Sequence, residues 1–265
     1  MGYPVVLIHG MWCTPKNWER IAGLLTPRGY DCHIPSLPAH MPGAGQAEQV
    51  GAKSMKEYVA YLEEYVRSKN FTRPPILIGH SMGGLLAQML AARIKVLAMV
   101  LLTPAAPAGI NGLRVKTLLA FFPHFARWGF WRKPYKISPA NARRYAYNGL
   151  PEQQQLRLYE GLVYESGRAA FEIGMWWADL GGATRFDTAQ VQCPVYLVSC
   201  ASDALVPAAV VKKVAALYPQ SSLRQYLTRS HWVIDDDETD DMMVAICGWL
   251  RPYEQRALRA QPQAA

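Results

Sequence analysis

The sequence has no long apolar run and no recognisable export signal. Its longest uninterrupted apolar stretch, residues 96–102, is far shorter than the 18 or more residues that a membrane-spanning helix needs. The first residues lack the basic stretch, apolar segment and small-residue cleavage site of a secretory signal. We therefore expect a protein without a transmembrane segment, located in the cytoplasm.

Cysteine is scarce, and the residues that bind metals or phosphates are not grouped. The five cysteines are odd in number and never spaced as C-x-x-C, which argues against a disulfide framework and a zinc ribbon. They are Cys13, Cys32, Cys193, Cys200 and Cys247. The glycines form neither a dinucleotide fingerprint nor a phosphate loop, and the acidic run at Asp235 lacks the spacing of a calcium loop. We expect free thiols in a reducing compartment, no metal and no cofactor.

The residues that are present are typical of one large globular domain. Of the 265 residues, 51% are hydrophobic and 18% are charged, which is enough for a single core. Short apolar runs alternate with segments of helical periodicity, such as 54–69 and 85–94. The predicted strands are residues 4–8, 30–34, 75–78, 96–102, 195–198 and 223–227. This alternation predicts a three-layer α/β fold in which a mostly parallel sheet lies between helices.

About ninety residues without a strand pattern separate the fourth predicted strand from the fifth. A structureless loop of this length is uncommon inside a compact domain, so we expect a helical cap at residues 105–188. Its helices are predicted near 113–128, 138–148, 151–164 and 168–180. The core is predicted to comprise residues 1–104 and 189–251, with a last helix over 237–250, and residues 252–265 to form a flexible tail.

The strongest chemical signal is the sequence G-H-S-M-G from Gly79 to Gly83. A buried strand is predicted immediately before it and a helix immediately after it. In that context a G-x-S-x-G turn lifts a serine above the end of a sheet. Glycines are needed because the turn is strained and neighbouring chain packs closely. The alternative is a serine that merely caps a helix; we predict that Ser81 is a nucleophile.

A serine hydroxyl needs a base, and the base needs an acid that orients it. His231 follows the last predicted strand and precedes the last helix, where a loop would reach the sheet edge that carries Ser81. The other histidines lie in glycine turns, beside a proline-rich loop or in the cap; they are His9, His80, His33, His40 and His124. We predict that His231 is the base.

Two acidic segments compete for the role of orienting His231. Asp203 follows the predicted strand 195–198 by a short loop, and strand ends on one edge of a sheet converge in space. The run from Asp235 to Glu238 is nearer in sequence, but such runs are typical of solvated helix N-termini. Asp203 is the predicted acid, which gives the chain order Ser, Asp, His.

With these residues, the chain resembles the α/β-hydrolase superfamily over residues 3–250. The opening sequence L-I-H-G-M-W and the capped layout look most like the small esterases, methylesterases and hydroxynitrile lyases. This resemblance implies an oxyanion hole formed by the backbone N–H groups of Met11 and Met82. Many relatives have a small, glycine-rich loop where this chain has M-W-C-T-P after Gly10, so the resemblance does not define the shape of the acyl pocket.

The predicted cap is rich in aromatic residues, which we expect to pack on the sheet and to wall a pocket. The predicted substrate-binding residues are Trp12, Phe125, Met175, Trp176, Leu205 and Trp232. With the three catalytic residues, they predict a carboxylesterase that cleaves small to medium apolar esters or lactones through an acyl-enzyme. The same triad also fits a lactonase, an amidase, a lipase or an acyltransferase, and the fold fits a small-molecule receptor.

The charge is positive and unevenly distributed. Lys and Arg number 28 and Asp and Glu number 20, which gives a net charge of +8. Residues 111–170 hold ten basic and three acidic side chains, so most of the excess lies in the predicted cap. Beside so many aromatic residues, this pattern favours a solvated positive face that steers anionic substrates or touches acidic lipid, rather than a nucleic-acid surface.

Overall fold

The computed structural model describes residues 2–112, 124 and 126–259. The strands in this part of the chain are β1 (Tyr3–Ile8), β2 (Tyr30–His33), β3 (Ile76–His80), β4 (Ala98–Leu102), β5 (Pro134–Tyr135), β6 (Glu165–Ser166), β7 (Val195–Cys200) and β8 (Ser221–Tyr226). Six of these strands form a parallel sheet with the order β2-β1-β3-β4-β7-β8. The predicted α/β fold with a parallel sheet is confirmed.

Helices cover both faces of this sheet. The α-helices in the described part of the chain, including those of the segment between β4 and β7, are α1 (Glu19–Leu25), α2 (Gln46–Val50), α3 (Met55–Ser68), α4 (Met82–Ala91), α5 (Pro139–Asn141), α6 (Glu152–Glu160), α7 (Gly167–Gly174), α8 (Ala208–Ala215) and α9 (Thr239–Arg259). Val5 and Leu7 of β1 pack in a cluster with residues of α1 and α9. Val6 and Ile8 pack in a second cluster with α3, α4 and α8. Because both faces are covered, the central strands are apolar throughout instead of alternating with polar residues.

Residues 105–188, which we call the cap segment, lie between β4 and β7. The segment contains α5, α6 and α7, and α5 continues as a π-helix over Ala142–Ala146. It also contains the antiparallel pair β5 and β6. We predicted no strand here, because two residues are too few to show an alternating pattern. Most of the predicted helix over 113–128 lies outside the described residues.

The last helix differs from the prediction because α9 continues to Arg259 instead of ending near Leu250. Beyond Leu250, the carbonyl of Glu254 accepts a hydrogen bond from the Tyr3 hydroxyl at 3.1 Å. The ring of Tyr253 lies 4.9 Å from that of Trp249, which in turn lies 5.2 Å from the ring of Tyr196 on β7. These contacts hold the additional turns against the core. Among the described residues, no helix combines the length and apolarity needed to cross a membrane.

A buried carboxylate of the cap segment joins it to the core. Glu165 on β6 lies with its Oε2 2.9 Å from Nε2 of His40, and both side chains are fully buried. The hydroxyl of Tyr58 on α3 donates to Oε1 at 2.8 Å. Nδ1 of His40 faces the carbonyl of Pro38 at 3.0 Å. Both ring nitrogens therefore face acceptors, an arrangement that a protonated histidine satisfies.

The pKa values of this pair move in opposite directions. Burial lowers the pKa of His40, but the Glu165 carboxylate outweighs burial, so the pKa is raised above its ordinary value of 6.5. Burial raises the pKa of Glu165, but His40, the Ser166 N–H and Tyr58 outweigh burial and lower it below 4.5. The stabilisation from Glu165 is lost as pH falls below that value, and the stabilisation from His40 is lost as pH rises through its raised pKa.

We expect Glu165→Gln to lower the free energy of unfolding by about 3–5 kcal/mol, since it leaves a buried cation without its partner. The loss should be largest between about pH 4.5 and 6.5, and it should shrink as pH rises above 6.5 through the raised pKa of His40. Urea unfolding across this pH range measures the effect. Arg67→Gln, which breaks an exposed pair with Glu63, is the control, and it should cost less than about 1 kcal/mol at every pH. A pH-independent loss in Glu165→Gln would contradict the ion pair.

Candidate active site

Ser81 occupies the turn between β3 and α4. Its backbone has a φ of 55° and a ψ of −121°, a conformation that costs a non-glycine residue about 1–3 kcal/mol. The Ser81 N–H donates to the carbonyl of Leu102 at 3.0 Å, and the Ser81 carbonyl accepts from the N–H of Ala105 at 2.9 Å. The end of β4 therefore holds the strained turn in place. α4 begins directly after Ser81, at Met82, rather than at the predicted residue 85.

Two glycines allow this turn to lie against neighbouring backbone. A Cβ atom on Gly79 would overlap the carbonyl of Gly83, and one on Gly83 would overlap the carbonyl oxygens of Ile8 and His9. No side-chain movement could relieve these contacts, because the overlapping atoms belong to the backbone. Gly79 is therefore required by close packing within the turn, and Gly83 by close packing between the turn and the end of β1.

His231 and Asp203 come from loops that follow β8 and β7. Nδ1 of His231 lies 2.8 Å from Oδ2 of Asp203, and both side chains are buried. Oδ1 of Asp203 accepts the N–H groups of Leu205 at 2.8 Å and Val206 at 2.7 Å. Because an ionised carboxylate can only accept, the proton of the His231 ring lies on Nδ1, and Nε2 is left as a base.

Two further residues hold the backbone of His231. The carbonyl of His231 accepts hydrogen bonds from Nε2 of His80 at 3.0 Å and from the hydroxyl of Thr103 at 3.1 Å. Burial, and to a smaller extent the neighbouring His231, lower the pKa of His80 to about 3. His80 is thus a neutral donor with a structural role. Thr103, with a φ of 42°, carried no sequence signal for this contact.

The acidic run after His231 braces the same loop. Asp236 pairs with Arg229 through two hydrogen bonds of 2.9 and 2.6 Å, and both residues are buried. We predicted that this acidic run is solvated. That prediction was wrong for Asp236, because Arg229, two residues before His231, is a buried partner for its carboxylate. Asp235 instead forms ion pairs with Arg20 and Arg157. In this arrangement the carboxylate that meets His231 is that of Asp203.

Met11 and Met82 line the larger cavity together with Ser81. Met82 is the first residue of α4, so its N–H has no acceptor within the helix. In the described parts of the chain, neither N–H group has an assigned acceptor. The adjacent Trp12 has a φ of 62°; its carbonyl accepts the N–H of Val163 at 2.8 Å and its ring nitrogen donates to the carbonyl of Tyr135 at 3.1 Å. The cap segment therefore holds the loop that carries Met11.

Two cavities of unequal size meet at Ser81. The larger, of about 130 Å³, is apolar and extends between the cap segment and α8; its walls include Ala106, Ile110, Tyr135, Ala170, Ile173 and Val210. The smaller, of about 20 Å³, is lined by His231 and Trp232 together with Ile137, Tyr147 and Leu162. Met11, Trp12, Ser81 and Leu205 line both cavities. Among the described residues, His231 contributes only to the smaller one.

The predicted substrate-binding residues are distributed unevenly over these cavities. Trp12 and Leu205 line both, and Trp232 lines the smaller one. Met175 and Trp176 line neither, which corrects their assignment. Helix α7 contributes Ala170, Ile173 and Gly174 instead, because helical spacing puts these three on one face and the helix ends at Gly174. Phe125 lies outside the described residues.

The Ser81 hydroxyl and the ring of His231 both line the smaller cavity. Over residues 2–112, 124 and 126–259, no hydrogen bond joins these two groups. Such bonds are often long without substrate and shorten in the complex. In the same residues, no three His, Cys, Asp or Glu side chains form a cluster able to hold a metal ion.

Comparison with known proteins agrees with this fold. The model of the family described as "Alpha/beta hydrolase family" matches residues 5–244. The chain belongs to the alpha/beta hydrolase family. The match begins in β1 and ends in α9, so it includes Ser81, Asp203 and His231.

Relatives of this alpha/beta hydrolase include esterases and lipases. It is 25% identical over 248 residues to the pimeloyl-[acyl-carrier protein] methyl ester esterase of Chromobacterium violaceum, with 87% of each chain covered. It is 24% identical over 265 residues to the sn-1-specific diacylglycerol lipase ABHD11 of Xenopus laevis, covering 94% of this chain and 80% of the relative. An extracellular alpha/beta-hydrolase from a Paenibacillus species superposes with a TM-score of 0.71 at 17% identity, with 93% and 98% of the two chains covered.

Proposed function

We propose that this protein is a serine carboxylic ester hydrolase that acts on esters of an apolar acid and a small alcohol. The observation that carries the proposal is the meeting of three features at one point. Ser81 stands on a strained turn, and His231, held by Asp203, lines the smaller cavity together with Ser81. Met11 and Met82 border the larger cavity with Ser81, and in the described residues their backbone N–H groups have no hydrogen-bond acceptor. The esterases and lipases among its relatives support this reaction class.

The first half of the reaction forms an acyl-enzyme. Nε2 of His231 takes the proton of the Ser81 hydroxyl as its oxygen attacks the ester carbonyl carbon, and Asp203 stabilises the resulting imidazolium. The negative charge on the carbonyl oxygen is stabilised by the N–H groups of Met11 and Met82. Loss of one such donor typically costs about 3–4 kcal/mol of transition-state stabilisation. The N-terminus of α4 adds a favourable dipole at the same place.

The second half releases the acid. His231 passes its proton to the leaving alkoxide, so that the alcohol departs and the acyl group stays on Ser81. A water molecule then loses a proton to His231, attacks the acyl carbon and frees the carboxylic acid. Proton, nucleophile and leaving group balance without any further reactant, so the proposal includes no cofactor and no metal. It also includes no nucleic-acid partner, and the cytoplasmic location stays a prediction.

The two cavities suggest which half of the ester lies where. The leaving alcohol must receive its proton from His231, and His231 lines the smaller cavity. The alcohol group therefore belongs in the smaller cavity, of about 20 Å³, and the acyl chain in the larger apolar one, of about 130 Å³. A relative described as a methyl ester esterase is consistent with a small alcohol.

A pair of isomeric esters tests this assignment. Methyl octanoate and heptyl acetate have the same composition and similar hydrophobicity, but they place the long chain on opposite sides of the carbonyl. We expect kcat/KM to favour methyl octanoate by about tenfold or more, the discrimination that pocket fit provides. Comparable or reversed values would contradict the assignment of the two cavities. A ligand-dependent thermal shift without any turnover would instead indicate a receptor.

A substitution in the larger cavity provides the matched control. Ala170→Phe places a ring in the acyl cavity from α7, so kcat/KM for methyl octanoate should fall by about tenfold or more. Hydrolysis of methyl acetate should be nearly unchanged, because its acyl group does not extend that far. Equal losses on both esters, with an unchanged thermal melt, would show that Ala170 does not border the acyl chain.

A further inference from the structure

One edge of the cap segment presents an indole ring and three cations to solvent. Trp128 is 87% exposed, the highest exposure of any aromatic residue among the described large hydrophobic side chains. Arg127, Arg132 and Lys133 beside it are also exposed. We call these four residues the Trp128 edge. The ring of Trp131 supports the indole at 5.6 Å in an edge-to-face arrangement.

Hydrogen bonds and close packing fix the backbone of the Trp128 edge. The N–H of Phe130 donates to the carbonyl of Arg127 at 3.0 Å, and Nζ of Lys133 donates to the carbonyl of Trp128 at 2.8 Å. Phe130 is buried below the edge, and its carbonyl lies where a Cβ on Gly167 would stand. The fold therefore holds Trp128 in its exposed position, since its backbone is fixed on both sides.

The cations of this edge lack acidic partners. Elsewhere in the cap segment, Arg157 and Arg168 pair with carboxylates at 3.4 and 2.8 Å. Among the described residues, Arg127, Arg132 and Lys133 have no carboxylate within 4.0 Å. The sequence explains this, because residues 65–151 contain thirteen Lys and Arg and no Asp or Glu. The edge is thus suited to an anionic surface.

We propose that the Trp128 edge docks the protein on an anionic lipid membrane. Tryptophan prefers the membrane–water interface, where its apolar ring and N–H are both accommodated. A cation near an anionic bilayer contributes about 1 kcal/mol, or about a fivefold change in binding. The edge also lies beside the larger cavity. Tyr135, two residues beyond Lys133, lines this cavity. Ala170 lines it as well, and the ring of the adjacent Phe171 lies 6.4 Å from that of Trp131. A docked protein would hold its apolar cavity close to the lipid.

Vesicle cosedimentation tests this docking surface. The protein should bind vesicles of phosphatidylcholine with 30% phosphatidylglycerol far more tightly than pure phosphatidylcholine. Arg127→Gln/Arg132→Gln/Lys133→Gln should lower the partition coefficient on anionic vesicles by about 100-fold, three factors of about five. Trp128→Ala should lower it by about tenfold. Raising the salt concentration to about 0.5 M should weaken wild-type binding, because the interaction is screened.

Matched variants give the controls. Lys16→Gln/Lys212→Gln/Lys213→Gln removes the same charge from exposed positions of the core, and Trp177→Ala removes another exposed indole; both should bind like wild type. Ser81→Ala should bind vesicles like wild type, so a failure of the docking proposal can be distinguished from a failure of the proposed catalysis. Equal losses of vesicle binding in the two triple Gln variants would contradict docking through the Trp128 edge. Binding to poly-glutamate without binding to vesicles would contradict docking on a lipid membrane and would indicate an acidic polypeptide as the partner instead.

Discussion

Ser81→Ala should lower kcat for methyl octanoate by about 10⁶-fold, because it removes the atom that carries the acyl group. The residual rate would come from the oxyanion donors and from binding alone. KM should change little, since the Ser81 hydroxyl contributes little to the apolar cavities. Initial rates measured by titration of the released acid, at enzyme concentrations high enough to follow slow turnover, give this number.

A serine next to Asp203, Ser202, provides the control for the Ser81→Ala variant. Ser202 is exposed and lies one residue before Asp203. Ser202→Ala should retain wild-type activity, and both variants should melt near the wild-type temperature, because neither hydroxyl fills a core position. Retained activity in Ser81→Ala would show that another group attacks the ester, and the proposed function would then be wrong.

Asp203→Asn should lower kcat by about 10⁴-fold. The N–H groups of Leu205 and Val206 donate to Oδ1, so they select the carbonyl oxygen of the new amide at that position. The amide NH₂ then faces Nδ1 of His231, which must become an acceptor and move its proton to Nε2. A ring protonated at Nε2 cannot accept the proton of Ser81, so the base is lost while the packing is kept.

Asp235 supplies the comparison for this second prediction. It lies closer to His231 in sequence, and it pairs with Arg20 and Arg157 away from the His231 ring. Asp235→Asn should therefore reduce kcat by less than about threefold, with a stability change of at most about 1 kcal/mol. If Asp235→Asn lost activity and Asp203→Asn kept it, the orienting carboxylate would be misassigned.

Several features were readable in the sequence because local chemistry requires them. The turn at Ser81 needs Gly79 where it packs on its own backbone and Gly83 where it meets the end of β1, and both glycines are visible beside the serine. The chain positions of Asp203 and His231 followed from strand order, because parallel strands deliver their loops to one edge of the sheet. The alternation of apolar strands and amphipathic helices predicted the α/β architecture for the same reason: each element must bury one face.

Other features depend on contacts that leave no local pattern. Glu165 and His40 are 125 positions apart, and neither residue type indicates burial by itself. The contact of Thr103 with the His231 carbonyl spans 128 positions. The wall of the acyl cavity was misjudged at Met175 and Trp176, since aromatic and sulfur side chains were expected to line it. Small residues such as Ala106 and Ala170 leave the space instead, and a missing side chain gives no sequence signal.

The most direct test of the account is labelling with a fluorophosphonate, which reacts with a serine only when a neighbouring base activates it. Mass spectrometry after proteolysis should find one probe molecule per chain, attached to Ser81, with activity lost in proportion to labelling. Ser81→Ala should remain unlabelled, and Asp203→Asn should react much more slowly than wild type. Labelling at another residue, or equal labelling of wild type and Ser81→Ala, would contradict the assignment of Ser81 as the nucleophile.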